Sequence, residues 1–205
     1  MIDYLAVFIT FFAVIDPIGT VPVFVAVTAG YDPKTKRRIA LLASVAALGI
    51  LLFFVVIGEI ILKALSIPLS AFQISGGIVL FLFALNMIFG DSKPEEEIKS
   101  LRDDHTDTAI FPLAVPSIAS PGAILAAVLL TENAIFSIYE QALTALVMCI
   151  VLLVTYVLML ISGHITKVIG ASGASVVSRV MGLILSAVAT TNILSGLKQY
   201  FQLVQ

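Results

Sequence analysis

The residues with the most chemical capacity stand close together. Asp16-Pro17-Ile18-Gly19-Thr20-Val21-Pro22 sets a carboxylate and a hydroxyl between two prolines and a glycine, inside an otherwise apolar stretch. The prolines remove two backbone donors and obstruct the carbonyls four residues earlier, and Gly19 lowers the cost of non-helical dihedrals. A helix running through this segment must break. A second run repeats the device with Pro112, Pro116, Ser117, Ala119, Ser120, Pro121 and Gly122. A broken helix offers free amides and a positive dipole end, which suit a carboxylate, and free carbonyls, which suit an ammonium or a coupling cation. The fit is to a small zwitterion, with hydroxyls from Thr20, Ser117 and Ser120 completing the polar shell. Neither run contains a Lys or an Arg. The competing reading is a pair of proline kinks that serve packing alone.

Asp16 has two compatible roles. It can act as a proton or cation coupling group or as the counter-charge of an ammonium. It can also cap the half-helix that follows Pro17 by accepting amide hydrogen bonds.

The elements that position these residues follow from composition. The chain has 205 residues, of which 60% are hydrophobic and 12% charged, and its mean hydropathy is +1.14. A soluble globule carries about 25% charged residues, so this chain cannot cover a water-facing surface. Its solvent is lipid, and at about 20 apolar residues per span there is room for about six spans. Charge, Gly and Pro delimit them at residues 2–30, 39–62, 71–89, 109–130, 141–163 and 180–197. No period-2 alternation of the kind a membrane strand needs is present, so the expected class is an all-α integral membrane bundle. Both proline runs then fall near mid-depth, where irregular backbone survives only under a cover of protein or a water-filled cavity. Asp16 is the one acid predicted that deep, where a carboxylate costs about 2.5–3.5 kcal/mol on insertion scales.

Nine of the eleven Lys and Arg residues fall in the odd-numbered connections, led by Lys34, Lys36, Arg37 and Arg38. By the positive-inside rule loops 1–2, 3–4 and 5–6 are cytoplasmic and both termini lie outside. Residues 1–10 contain no Lys or Arg, so the basic leader of a cleaved signal is not expected and the chain is expected to begin with its first span. The third connection, residues 91–108, holds seven of the thirteen acids. Its composition predicts a solvated, partly disordered linker, with a regulatory or partner-binding role as the competing reading.

That linker divides one transport domain into a first three-helix repeat, residues 1–90, and a second, residues 109–205. Pro17 and Pro22 match Pro116 and Pro121 at an offset of 99, while Gly58 matches Gly163 and Gly77 matches Gly182 at an offset of 105. Three spans is an odd number, so the second copy enters from the opposite side. The expected architecture is a 3+3 inverted-topology repeat with broken first and fourth helices, an arrangement that recurs in secondary transporters. In this register the repeat partner of Asp16 is Val115, so the second half supplies no matching acid.

Other polar positions are weaker. Asn86 and Asn192 lie one residue out of register, late in the third and sixth spans, where a helix–helix hydrogen bond competes with substrate contact. Gln73 and Ser75 begin the third span beside Gly76 and Gly77, which suit close helix approach. Glu59, Glu132 and Glu140 fall at predicted outer ends, in water. Cys149 has no second thiol, and His105 and His164 are too scattered for a metal site, so no metal and no cofactor is expected. A net charge of −2 leaves no basic surface for nucleic acid. No buried Ser–His, Cys–His or paired-carboxylate set is visible, so enzyme chemistry is not expected.

Four motifs in order carry a family resemblance: Phe12-Ala13-Val14-Ile15-Asp16-Pro17-Ile18-Gly19-Thr20-Val21-Pro22-Val23-Phe24; Phe72-Gln73-Ile74-Ser75-Gly76-Gly77-Ile78; Phe111-Pro112-Leu113-Ala114-Val115-Pro116 with Ser120-Pro121-Gly122-Ala123-Ile124; and Arg179-Val180-Met181-Gly182-Leu183. Over its whole length the chain resembles the MarC family of six-span bacterial inner-membrane proteins, also called the neutral amino acid transporter family. The resemblance implies uptake of small neutral amino acids such as glycine and alanine, coupled to a proton or sodium ion. It implies a multi-pass protein of the bacterial plasma membrane; the lipid bilayer is a partner by composition, and a homo-oligomer is an option that the sequence does not decide. The substrate set would be Asp16, Pro17, Ile18, Gly19, Thr20, Pro116, Ser117, Ala119, Ser120, Pro121, Gly122, Asn86 and Asn192, with Asp16 as the coupling residue. Ser120 departs from a Gly-Pro-Gly run common in the family, and either narrows the site or adds a hydroxyl. The alternatives are an exporter of another metabolite or drug, and a non-transporting membrane scaffold.

Overall fold

The computed structural model describes residues 2–89, 109–133 and 135–202, and every regular element among them is helical. Helix α1 (Tyr4–Ile15) starts at Asp3, whose carboxylate accepts from Leu5 N and Ala6 N. It stops at Asp16, which adopts the left-handed conformation with φ 52° and ψ 65°. Helix α2 (Pro17–Val27) follows with proline in its first turn, where the missing N–H has no intrahelical partner to lose. Helix α3 (Pro33–Ala64) is capped by Asp32, and α4 (Leu69–Phe89) completes the first half. Thr35 and the amide of Lys34 bond the Asp32 carboxylate and hold it below the usual carboxylate range, with the Thr35 hydroxyl contributing most.

The second half opens on a loosely wound segment, α5 (Ala109–Ile118), interrupted by extended backbone at Phe111 and Val115. Each of these precedes a proline, whose ring disfavours helical dihedrals in the residue before it. Helix α6 (Pro121–Leu129) starts at Ser120. Helix α7 (Ile138–Leu160) opens with a capping box between Ser137 and Glu140, and α8 (Ser162–Tyr200) runs for 39 residues. Five helical stretches are long and apolar enough to span a membrane, and the pair α5–α6, bent by 56°, makes a sixth. The chain is therefore an all-α integral membrane protein that crosses the bilayer several times.

Two expectations are revised. The fifth connection is not a loop, because α8 begins at Ser162 and includes it. At about 1.5 Å per residue α8 is about 58 Å long, nearly twice the hydrocarbon thickness, so part of it lies outside the lipid. The two breaks also differ: α1 and α2 still form one 24-residue span from Tyr4 to Val27, whereas the second break bends its helix pair sharply. Linker residues 91–108 lie outside the described residues.

Apolar side chains point both ways. Phe11, Ile15, Leu51, Leu80, Leu113, Ile118 and Met148 are buried, while Leu5, Val56, Leu82, Leu153 and Leu183 are exposed. Such an outer surface is stable in lipid and costly in water. Helix α3 packs on α5 and α6, and α7 packs on α1 and α2, so each long helix covers the broken helix of the other half.

The tightest seam joins α4 to α8. A methyl group on Gly77 would lie 2.8 Å from Ile193 Cγ1 and 3.1 Å from Ala189 O; one on Gly182 would lie 2.9 Å from both Ile88 Cγ1 and Ala84 O. Adding 105 to Gly77, Ala84 and Ile88 gives Gly182, Ala189 and Ile193. The contacts are therefore reciprocal, the pattern a two-fold axis imposes on an interface. Gly196 meets Ser70 and Ile74 farther along, so the contact position on α8 falls as that on α4 rises. The two helices run antiparallel, the relation an inverted repeat would require.

Candidate functional site

The two breaks meet in the core. Asp16, Thr20, Ser117 and Ser120 are all buried, with Asp16 only 1% exposed. Each helix start is capped in the same way: Asp16 Oδ1 accepts from Gly19 N at 2.9 Å, and Ser120 Oγ accepts from Ala123 N at 3.1 Å. In both cases the cap precedes a proline in the first turn and takes the amide three residues on. Matched on these caps, Pro17 stands opposite Pro121 and Asp16 opposite Ser120, an offset of 104. The proline spacing had suggested an offset of 99 with Val115 opposite Asp16. That spacing pairs prolines in unlike places: Pro22 and Pro116 lie inside helical segments, whereas Pro17 and Pro121 begin them.

The hydroxyls are committed to holding the breaks together. Ser120 Oγ donates to Val14 O at 2.7 Å, tying the start of α6 to the last turn of α1. Thr20 Oγ1 donates to Asp16 O at 3.0 Å and lies 3.4 Å from Ser117 Oγ on the other broken helix. Gly19 is required here by close approach, since a methyl group on it would overlap Asp16 Oδ2 and lie 2.7 Å from Cγ. Of the two roles read for Asp16, the capping one is directly visible. Replacing Ser120 by Ala removes a cap worth about 0.5–2 kcal/mol together with the cross-break bond. Ser120→Ala is therefore expected to lower stability to chemical unfolding by about 2 kcal/mol while Ser117→Ala costs less, a difference that paired denaturation curves will measure.

Two neighbouring cavities lie between the helices, the outer one at the end of the bundle that carries residue 3. An open cavity of about 420 Å³ is lined by Asp3, Val7, Thr10, Leu130, Glu140 and Thr144, among others. It shares Thr10 and Leu130 with a deeper one of about 50 Å³, which reaches Val14, Gly122 and Asn192. The deeper space holds one or two waters at about 30 Å³ each and no amino acid. Asp16, Thr20, Ser117 and Ser120 line neither space, so the paired cavity stops short of the polar cluster. Asp3, Ala6, Val7, Thr10 and Val14 line the cavities from α1 at spacings of three and four, one stripe of a helix.

The expected site residues therefore fall into three groups. Asp16, Pro17, Gly19, Thr20, Ser117, Ala119 and Ser120 are buried at the breaks, with Ile18 and Pro116 half-buried beside them. Gly122 and Asn192 line the deeper cavity, and Pro121 is exposed at the start of α6. Asn192 also accepts a hydrogen bond from Gln73 Nε2 at 3.3 Å, linking α8 to α4. Asn86 is exposed late on α4 and lines neither cavity. Thr10, Val14 and Thr144 are not singled out by the sequence as cavity residues; the α1 stripe carries the signal for Thr10 and Val14, and nothing in the sequence carries one for Thr144.

Around the mouth, the acids are partners in a network. Glu59 Oε2 accepts from Asn133 N at 2.8 Å and from Asn133 Nδ2 at 2.6 Å, and Glu59 pairs with Lys63. Gln141 Nε2 donates to Asn133 Oδ1 and to Phe136 O, both at 3.0 Å, so the end of α3 is tied to the turn that precedes α7. In that turn burial, and secondarily the Glu59 charge, pushes the Glu132 carboxyl above its usual value.

Comparison with known proteins agrees with this architecture. The UPF0056 membrane protein YvbG of Bacillus subtilis is 35% identical over 202 residues, covering 95% of this chain and 94% of its own. A UPF0056 membrane protein of Methanocaldococcus jannaschii is 34% identical over 197 residues, covering 95% and 96%. One from Aquifex aeolicus is 32% identical over 209 residues, covering 95% and 92%. No solved structure matches the chain. Residues 1–201 match the family described as MarC family integral membrane protein, and the chain belongs to that family.

Proposed function

We propose that the protein is a secondary transporter of small neutral amino acids, of the glycine and alanine class, coupled to a proton or sodium ion. The observation that carries this reading is the meeting of two capped half-helix starts in the buried core, with a small cavity beside them at Val14 and Gly122. A substrate carboxylate would meet two positive dipole ends there, and its ammonium would meet Asp16. The polar cluster is small, which suits a compact zwitterion better than a drug-sized molecule. The reciprocal, antiparallel α4–α8 seam supports an inverted repeat, in which one half rocks against the other to expose the centre alternately. In this reading the 50 Å³ cavity belongs to a state closed to substrate. The protein performs no catalysis, needs no cofactor and resides in the plasma membrane with both termini outside.

A ligand that binds only the folded chain stabilises it by mass action, by about 2.7 kcal/mol at 100 times the Kd, and so raises its melting temperature. Glycine or alanine is therefore expected to stabilise the purified protein in a thermal-shift screen, and acidic or basic amino acids are not. A screen in which no neutral amino acid shifts the midpoint speaks against the substrate assignment.

A further inference from the structure

We propose that the outer cavity is a second binding site, distinct from the helix breaks, for a primary ammonium ion carried on a small organic body. Its volume of about 420 Å³ lies in the range of small-molecule sites, about 300–1,000 Å³, and far exceeds what a bare monovalent ion needs. Two carboxylates line it, Asp3 and Glu140, and none of the lining residues is a Lys or an Arg. Both carboxylates are held in place by backbone. Asp3 Oδ1 caps α1, and Glu140 Oε2 accepts from Ser137 N at 2.9 Å.

The independent observation is Thr144. It is 1% exposed, lines the cavity one turn after Glu140, and its Oγ1 has no hydrogen-bond partner among the described residues. Thr28, Thr131 and Thr155 instead spend their hydroxyls on the carbonyl four residues back. A buried hydroxyl without a partner is costly unless a ligand supplies one. Ile2, Val7, Leu130 and Phe136 make the remaining wall apolar. Two negative charges, one hydroxyl and a hydrocarbon wall recognise an ammonium with a short apolar body. This assignment does not depend on what the breaks transport.

The test is titration calorimetry on the purified full chain with L-alanine methyl ester, which keeps the ammonium and lacks a carboxylate, against propionate. The ester is expected to bind and propionate is not. Asp3→Asn and Glu140→Gln remove charge yet keep the caps, because Asn is a good N-cap and Gln serves in a capping box. Each is expected to weaken the ester about threefold to fivefold, and both together about tenfold or more. Thr144→Val is expected to weaken it about threefold, and stands alone as a test if an acid variant unfolds. Ser120→Ala, at the breaks, leaves ester affinity unchanged even where it alters amino acid uptake, so failure of one reading is separable from failure of the other. Unchanged affinity in the acid and Thr144 variants, or a loss confined to Ser120→Ala, overturns the proposal. Sodium chloride and choline chloride at equal ionic strength should weaken binding alike by screening. Displacement by sodium alone would assign the site to an inorganic cation and overturn it as well.

Discussion

Gly19→Ala is expected to abolish most transport, lowering uptake of labelled alanine at least about tenfold. The added methyl group would overlap Asp16 Oδ2 and lie 2.7 Å from Cγ, so the carboxylate must swing away. In doing so it gives up the 2.9 Å hydrogen bond from Gly19 N that fixes the start of α2. A hydrogen bond to a charged group contributes about 1.5–3 kcal/mol, which corresponds to about tenfold or more. The displaced carboxylate has no water to enter, since Asp16 is buried. Ala is a better helix former than Gly by about 1 kcal/mol, so a propensity argument alone predicts a gain in stability. Loss of uptake with a folded, correctly inserted protein, shown by size exclusion and circular dichroism, would separate the two effects. Wild-type uptake in Gly19→Ala would show that the Asp16 position is immaterial.

The second large effect is expected at the α4–α8 seam. Gly77→Leu and Gly182→Leu each force a side chain into a gap where even a methyl group lies about 3 Å from backbone and side-chain atoms of the other helix. Overpacking of this kind costs about 1–3 kcal/mol, and in a membrane little but packing holds two helices together. Each substitution is expected to cost about 3 kcal/mol in detergent unfolding. Because the two contacts are images of one another at an offset of 105, the losses should agree within about 1 kcal/mol. Gly30→Leu, where nothing lies within 4 Å, is the control and should be close to neutral. A severe loss at Gly77 beside a neutral Gly182 would contradict the pseudo-two-fold arrangement.

Much of this was legible in the residues. Proline and glycine break helices for local reasons, so the interruption after Ile15 follows from Asp16-Pro17 without tertiary information. Span positions followed from apolar length, since lipid leaves helices little alternative. The register at the breaks was not legible. Four prolines at matching spacing offered an alignment, but only the geometry distinguishes Pro17 and Pro121, which start helices, from Pro22 and Pro116, which interrupt them. The proline spacing therefore does not align Asp16 with Ser120, although both are N-cap residue types and both cap a helix start.

Ser120 shows how one residue's role depends on its neighbour. Sequence offered a narrower site or an extra hydroxyl for substrate; the structure uses that hydroxyl as both cap and cross-link to Val14 O. Asn86, read as a helix–helix contact or a substrate contact, lies exposed late on α4, and the face a helix turns inward depends on its partners. The cavity space that Thr10 and Leu130 line lies between helices far apart in sequence. Its α1 side was written as a stripe, but nothing in the stripe says what faces it.

The central claim is that the paired breaks carry a small neutral amino acid across the membrane at the expense of an ion gradient. Its most direct measurement is accumulation of labelled alanine and glycine by proteoliposomes of the purified protein, with an imposed proton or sodium gradient and with the gradient collapsed. The account predicts gradient-driven accumulation above equilibrium that vanishes when the gradient does. Flux that ignores the gradient, or no flux of either amino acid in vesicles that contain folded protein, would contradict it.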